Sequence, residues 1–453
     1  MNVATASSTR SLAGWGRTAP SRSKMTQPAD VAGVEEALRT ATTPVIARGL
    51  GRSYGDAAQC GGGLVLDTSA LSTIGPIDKE GVVEVGAGVS LQRLLHEAIP
   101  SGWFVAVSPG TRYVTVGGAI AADVHGKNHH RDGSFTRYVL RMRLATPTGS
   151  FTVSSDQDPD LFWATAGGMG LTGVVVSATV RLIPIETSWM QIDSERFCRL
   201  DDLMTTMEKT DQDYRYSVAW LDCLPRRGGE RRSVLTRGDH APSAALPHRL
   251  RARSREAPGE PVLRVPRPIP GRLVNRLSVR ALNEAVFHAS STTQGALRPL
   301  AAFFHPLDGI GSWNLLYGPD GFVQYQFVSP PDRGDVIEDA VEAISGSGLP
   351  SFLAVLKRFG PGTPGPLSFA QEGWTLALDF PLGPPGLPAL LDRLDEMVAG
   401  TGGRVYLAKD ARLRPELLSV MYPRLAEMDA VCRRVDPDGV MSSDLSQRLG
   451  ILR

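Results

Sequence analysis

The chain has 453 residues, 42% hydrophobic and 21% charged, which is enough apolar material for about two or three domains. A net charge of +1 gives no whole-chain attraction for nucleic acid, and none is expected as a partner. The four scattered cysteines, Cys60, Cys198, Cys223 and Cys432, form no CxxC pair, which argues against a disulfide framework and a zinc ribbon.

Met1–Lys24 is rich in Ser, Thr, Ala and Arg and lacks the apolar stretch of a signal peptide. No run of about 18 apolar residues follows, so no membrane-spanning helix is expected. The expected location is cytoplasmic or peripheral at a membrane. Short strand-like runs come next, at Pro44–Ala47, Gly63–Asp67 and Val82–Val85, bounded by glycines. Ser90 is placed to cap a helix with Leu91, Leu94, Leu95 and Ala98 on one face. Val174–Leu182 reads as a strand rich in β-branched residues. Composition shifts near Glu186. Strands at Tyr216–Leu221, Phe322–Val328 and Thr375–Phe380 then mix with helices at Val336–Ser345 and Leu387–Ala399. Arg404–Leu407 reads as a strand, with helical segments running on to Arg453. The order is α+β, not a regular βαβ series. Arg226–Arg280 carries fourteen arginines against four acidic residues, with many prolines, and reads as a mobile or irregular surface segment. A solvated loop and a basic collar facing an anionic substrate or membrane both fit it.

Four motifs carry chemistry. Ala47–Asp56 runs from a strand into a turn with glycines at 49, 51 and 55, where backbone N–H groups can approach a diphosphate. Arg48 and Arg52 add charge and Ser53 a hydroxyl donor. Its GxGxxxG spacing is not a dinucleotide fingerprint, and a purely structural glycine turn fits equally well. Pro109–Ala122 pairs a Pro-Gly turn with the small residues of Val116–Ala119. Gly168, Gly170 and Gly173 do satisfy GxGxxG, but a helix-like segment (Leu161–Ala166) precedes them and a strand follows, the reverse of the Rossmann order. Val124–His130 holds three of the eight histidines. Metal binding is the weakest reading there, behind a structural hydrogen-bonding role and active-site use, because no second ligand cluster exists.

In order and spacing these stretches, with Gly14–Pro20, Phe304–Asp308, Gly321–Val328, Gly373–Trp374, Asp379–Pro381 and Ser443–Asp444, resemble the FAD-linked oxidases of the vanillyl-alcohol-oxidase type. The resemblance is greatest to those acting on polyprenylphosphoryl ribose. It implies a two-domain α+β fold: a PCMH-type FAD-binding domain (1–187), a substrate-binding domain with an antiparallel sheet (188–403), and a C-terminal return to the first domain (404–453). It implies that FAD is held by Arg48, Gly49, Leu50, Gly51, Arg52, Ser53 and Tyr54, by Gly110 and Thr111, and by Thr115, Val116, Gly117, Gly118 and Ala122. His125, Gly126, Gly173, Val175 and Tyr406 complete that set. Tyr54 stands where relatives often carry a histidine bonded to the flavin, which implies non-covalent FAD.

Tyr54, Lys127, Trp220, Gln324, Gln326, Lys357 and Ala377 match substrate-pocket positions. Lys409 and His125 match the catalytic ones, with the choice of base left open. The resemblance implies oxidation of the 2′-hydroxyl of decaprenylphosphoryl-β-D-ribofuranose to the 2′-keto sugar, the first step of epimerisation to the arabinose donor of cell-wall arabinan. A separate NADH-dependent reductase would finish that step. Peripheral membrane association, even on the envelope side, goes with such a lipid. Three departures stand out: Ala377 replaces an inhibitor-sensitive cysteine, Thr375 an asparagine and Phe304 a tyrosine. A soluble sugar, alditol or aldonolactone oxidase on the same scaffold, and a non-catalytic scaffold, are the competing readings.

Overall fold

The computed structural model describes residues 8–225, 230–266 and 273–451. Residues 184–189 separate two sets of sheets. Before them lie a four-stranded sheet and a five-stranded one, formed by strands between Ser8 and Pro184. After them an eight-stranded sheet runs from Trp189 to Val405. The fold is α+β, with antiparallel pairing throughout the large sheet.

Local signals account for most of the first part. Ser90 accepts from Arg93 N at 3.2 Å and starts the helix Leu91–Ala98, whose Leu91, Leu94, Leu95 and Ala98 are fully buried. Val174–Pro184 forms the strand around which the five-stranded sheet is built, pairing with Val82–Gly86, Trp103–Val105 and Val139–Thr146.

Two expectations need correction. The Arg226–Arg280 stretch is not irregular throughout: Ser233–His240 is an interior strand of the large sheet, and a helix begins at Arg276. A charge count over the whole stretch hides this proline-free run, in which Val234 and Leu235 are buried and Arg237 pairs with Glu195 at 3.3 Å. Residues 226–229 and 267–272 of that stretch lie outside the described residues. The strand at Arg404 lasts only two residues, because the chain turns at once, with Lys409 N bonding Tyr406 O at 2.8 Å.

After that turn the chain returns to the first sheets. Met441 bridges Val45, and Arg448 pairs with Asp56 and Asp410, each at 2.8 Å. No described helix is long and apolar enough to cross a membrane.

Candidate active site

The glycine-rich loops converge because each is tied to the next. A Cβ on Gly49 would lie 2.3 Å from Thr115 Oγ1, so the first loop presses against the second. Val116 N bonds Val89 O and Gly117 N bonds Ala87 O, while Ala87 N bonds Val176 O beside Gly173. Gly167 N and Met169 N bond Ile120 O and Ala121 O, seating the third loop on the helix Val116–Ala121. Gly173, at φ 141°, lies against Ala145 O, where a Cβ would approach to 2.5 Å.

The surface so built suits a flavin dinucleotide. Among the described residues the N–H groups of Leu50, Gly51, Arg52 and Ser53 donate to no other group, which leaves a run of donors free for an anion. Gly51 is at φ 62°, and Gly110 and Gly118 are exposed. Arg52 Nε is buried without a partner, its guanidinium held 3.8 Å over the Trp15 ring.

Two side chains differ from expectation. Arg48 does not offer its charge to a ligand: its guanidinium bonds Ala58 O and Ala13 O, both at 2.8 Å, and so shapes the loop instead. Thr111 is bonded to Asp308 at 2.7 Å. Leu50 is exposed. Val175 belongs to the buried strand and faces the core beside the loops.

The large sheet supplies the other wall. Trp220 lies opposite Val355, Val355 opposite Ala377, and Ala377 opposite Gln326. Lys357 is opposite Thr375, and Gln324 opposite Asp379. Side chains alternate along a strand, so all of these share one face. Trp220, Val355 and Ala377 are only partly buried in strands otherwise largely buried, which marks an opening along that row.

Residues from three chain segments meet over this face. His125 Nε2 lies 2.9 Å from Gln326 Nε2, which also donates to Thr375 Oγ1 at 3.2 Å. With the amide donating, the ring proton lies on Nδ1, which is buried without a partner. A Cβ on Gly126 would come within 2.8 Å of both Asn128 Oδ1 and Ser108 O, so the chain beside His125 has no room for a side chain. Lys409 Nζ sits 3.8 Å over the Tyr54 ring, and Tyr54 N bonds Ala408 O at 2.9 Å. Tyr406 bonds Ala122 O through its hydroxyl at 2.6 Å and stacks on Phe369. Ala122 itself is buried. Lys127 bonds Phe303 O. Phe304, by contrast, packs in an aromatic cluster with Phe104 and Tyr216.

The electrostatics are unusual. Burial lowers Lys127 to about 7, Lys357 to about 8 and Lys409 to about 7, and Lys357 also repels the other two. Burial and the neighbouring lysines hold His125 well below the ordinary histidine range, so it is neutral. One carboxylate lies beside Lys409. Asp379 is fully buried, accepts from Gln324 Nε2 and from Tyr317 Oη at 3.3 Å, is raised to about 6 by burial, and attracts Lys409. Sequence reasoning passed over Asp379, although a lone acid inside the apolar run Leu376–Phe380 was a visible signal. The other two clustered histidines point elsewhere, His129 to Ser134 Oγ and His130 to Tyr214 O.

The comparisons agree with this geometry. The FAD binding domain family matches residues 23–155. The free N–H groups of the glycine loop and that match define an FAD-dependent oxidoreductase. The chain is 42% identical, over 98% of its own length and 98% of the relative's, to decaprenylphosphoryl-β-D-ribose oxidase of Mycolicibacterium smegmatis. It is 43% identical to an uncharacterised protein of Streptomyces coelicolor, over 80% of this chain and all of that one. Cytokinin dehydrogenase 7 of rice is 27% identical over 42% of this chain and 39% of its own. The chain belongs to the decaprenylphosphoryl-β-D-ribose oxidase family.

Proposed function

We propose that the chain oxidises the 2′-hydroxyl of a polyprenylphosphoryl ribose, such as decaprenylphosphoryl-β-D-ribofuranose, to the 2′-keto sugar. The observation that carries this is the set of buried lysines: Lys409 lies over the Tyr54 ring beside Asp379, and Lys357, on the same face of the sheet, repels both Lys409 and Lys127, while Asp379 attracts Lys409 alone. Such an excess of buried cations calls for an anionic occupant, which a phosphorylated sugar supplies and a free sugar or alditol does not.

The N–H groups of 50–53, with Tyr54 beside them, would hold FAD non-covalently, and bound there it would supply the two-electron acceptor for the C2′ hydrogen. Lys409, near neutrality at about 7, accepts the hydroxyl proton on Nζ. His125 cannot serve as that base, because its Nε2 lone pair is engaged by Gln326; its Nδ1–H is free to donate to a sugar oxygen. Lys127 and Lys357 pair with the phosphate. Gln324, Gln326 and Trp220 orient the sugar, and Ala377 leaves room for it. The keto product would pass to an NADH-dependent reductase.

Turnover with an artificial electron acceptor tests the reading. Polyprenylphosphoryl ribose should be oxidised with kcat/KM far above those of ribose, alditols and aldonolactones. Preference for the free sugars would replace this reading with that of a soluble sugar oxidase.

A further inference from the structure

The carboxamide of Gln326 can present either end to His125, and the two ends place the ring proton on different nitrogens. Its oxygen requires a hydrogen on Nε2; its amino group requires Nε2 to be bare. Thr375, on the neighbouring strand Gly373–Pro381, decides between them. The Thr375 hydroxyl has one hydrogen and donates it to Phe327 O at 2.8 Å. Toward Gln326, 3.2 Å away, Oγ1 has only lone pairs left, so the end of the carboxamide that it meets is the amino group. The second hydrogen of that same nitrogen goes to His125 Nε2 at 2.9 Å. Thr375 is 0%, Gln326 3% and His125 7% exposed, so solvent does not scramble the chain of bonds. Nor can the ring trade its nitrogens by turning over, because Phe359, Tyr406 and Phe369 pack on it at centroid distances of 4.8, 5.2 and 5.5 Å.

We propose that Thr375 is a positioning residue: acting through Gln326, it holds His125 as the Nδ1–H tautomer and leaves that N–H as the ring's one donor. Among the described residues no group accepts from Nδ1. A carboxamide at 375 could offer Gln326 a donor or an acceptor and would leave the choice open; valine would offer neither. Lys357, Lys409 and His129 all oppose a charge on the ring, so the choice lies between its two neutral forms. Tyr406, the other titratable group packed against it, keeps its proton in the bond to Ala122 O. That the free N–H meets a sugar oxygen rests on the function proposed above; the tautomer itself does not.

The test is nitrogen NMR of the FAD-loaded full chain carrying isotope-labelled histidine, near neutral pH and without substrate. Protonated and bare ring nitrogens give well-separated signals, and those of His125 are identified by their loss in His125→Gln or His125→Asn. In the native chain Nδ1 should carry the proton and Nε2 should be bare. Thr375→Ser keeps the hydroxyl and should give the same pattern. Thr375→Val keeps the shape without the hydroxyl, so Gln326 can turn, and protonated Nε2 should appear while the flavin absorbance is retained. Should Thr375→Val lose its flavin, Thr375→Ala removes the same hydroxyl and takes its place. A native chain protonated at Nε2 overturns the proposal. So does a flavin-loaded Thr375→Val or Thr375→Ala that keeps the native pattern, or a Thr375→Ser that loses it.

Discussion

Lys409 and Asp379 divide the work of the pocket at the scale of single side chains. In the proposed mechanism Lys409 carries the titration and Asp379 tunes it. Replacing Lys409 with Ala should leave FAD bound, yet slow reduction by substrate by about 100-fold or more, the usual contribution of a general base; rapid mixing with flavin absorbance as readout checks this. The sign of the pH dependence follows from the same pair. A lysine lowered to about 7 is a base only when neutral, so kcat/KM should rise with pH through about 7 and then level. Asp379 raises the lysine, so Asp379→Asn should move that midpoint to lower pH. A midpoint that moved upward, or a rate that fell through neutrality, would mean that Lys409 works as a cation. Ala377 offers a third handle. Ala377→Cys places a thiol on the open row of the sheet, where covalent labelling at residue 377 by a thiol-directed nitroaromatic should appear by peptide mass spectrometry, beyond any labelling of the exposed Cys198 that the native protein shares.

At the scale of elements, the loops depend on glycine where the backbone itself comes close. Gly173→Ala combines a φ of 141° with a contact against Ala145 O, and should cost about 1–3 kcal/mol, seen as a lower melting temperature. Much of this level is readable from sequence. Ser90 and its leucines carry a helical period, and the β-branched run from Val174 and the strands at Tyr216, Phe322 and Thr375 are short apolar stretches that local chemistry makes extended. What escaped reading depends on distant partners. Ser233–His240 becomes a strand because Trp189–Phe197 and Tyr216–Leu221 flank it, against the composition of its neighbourhood. Arg48 lies in the right loop, but only the fold reveals that Ala13 and Ala58 claim its guanidinium. Asp379 gains its meaning from Lys409, thirty residues on, across a turn.

The whole molecule brings two sets of sheets together over one pocket. The buried pair Arg112–Asp308, at 3.5 Å with both side chains 3% exposed, joins the loop side to the substrate side. Thr111 and the Arg112 N–H bond the same carboxylate. Asp308→Ala would strand Arg112, and should destabilise the protein by about 3–5 kcal/mol, measured by denaturant unfolding of the FAD-loaded chain. This joint matters because neither wall suffices alone: the loop side offers free N–H donors and Lys127, the sheet Lys357 and Asp379.

We propose that these walls form an oxidase pocket for a lipid-phosphate-linked ribose. Anaerobic mixing of the FAD-loaded protein with polyprenylphosphoryl ribose tests it most directly. Stoichiometric loss of the oxidised-flavin absorbance and one equivalent of the 2′-keto sugar are expected. An unchanged spectrum with that substrate, or bleaching by free ribose alone, would contradict it.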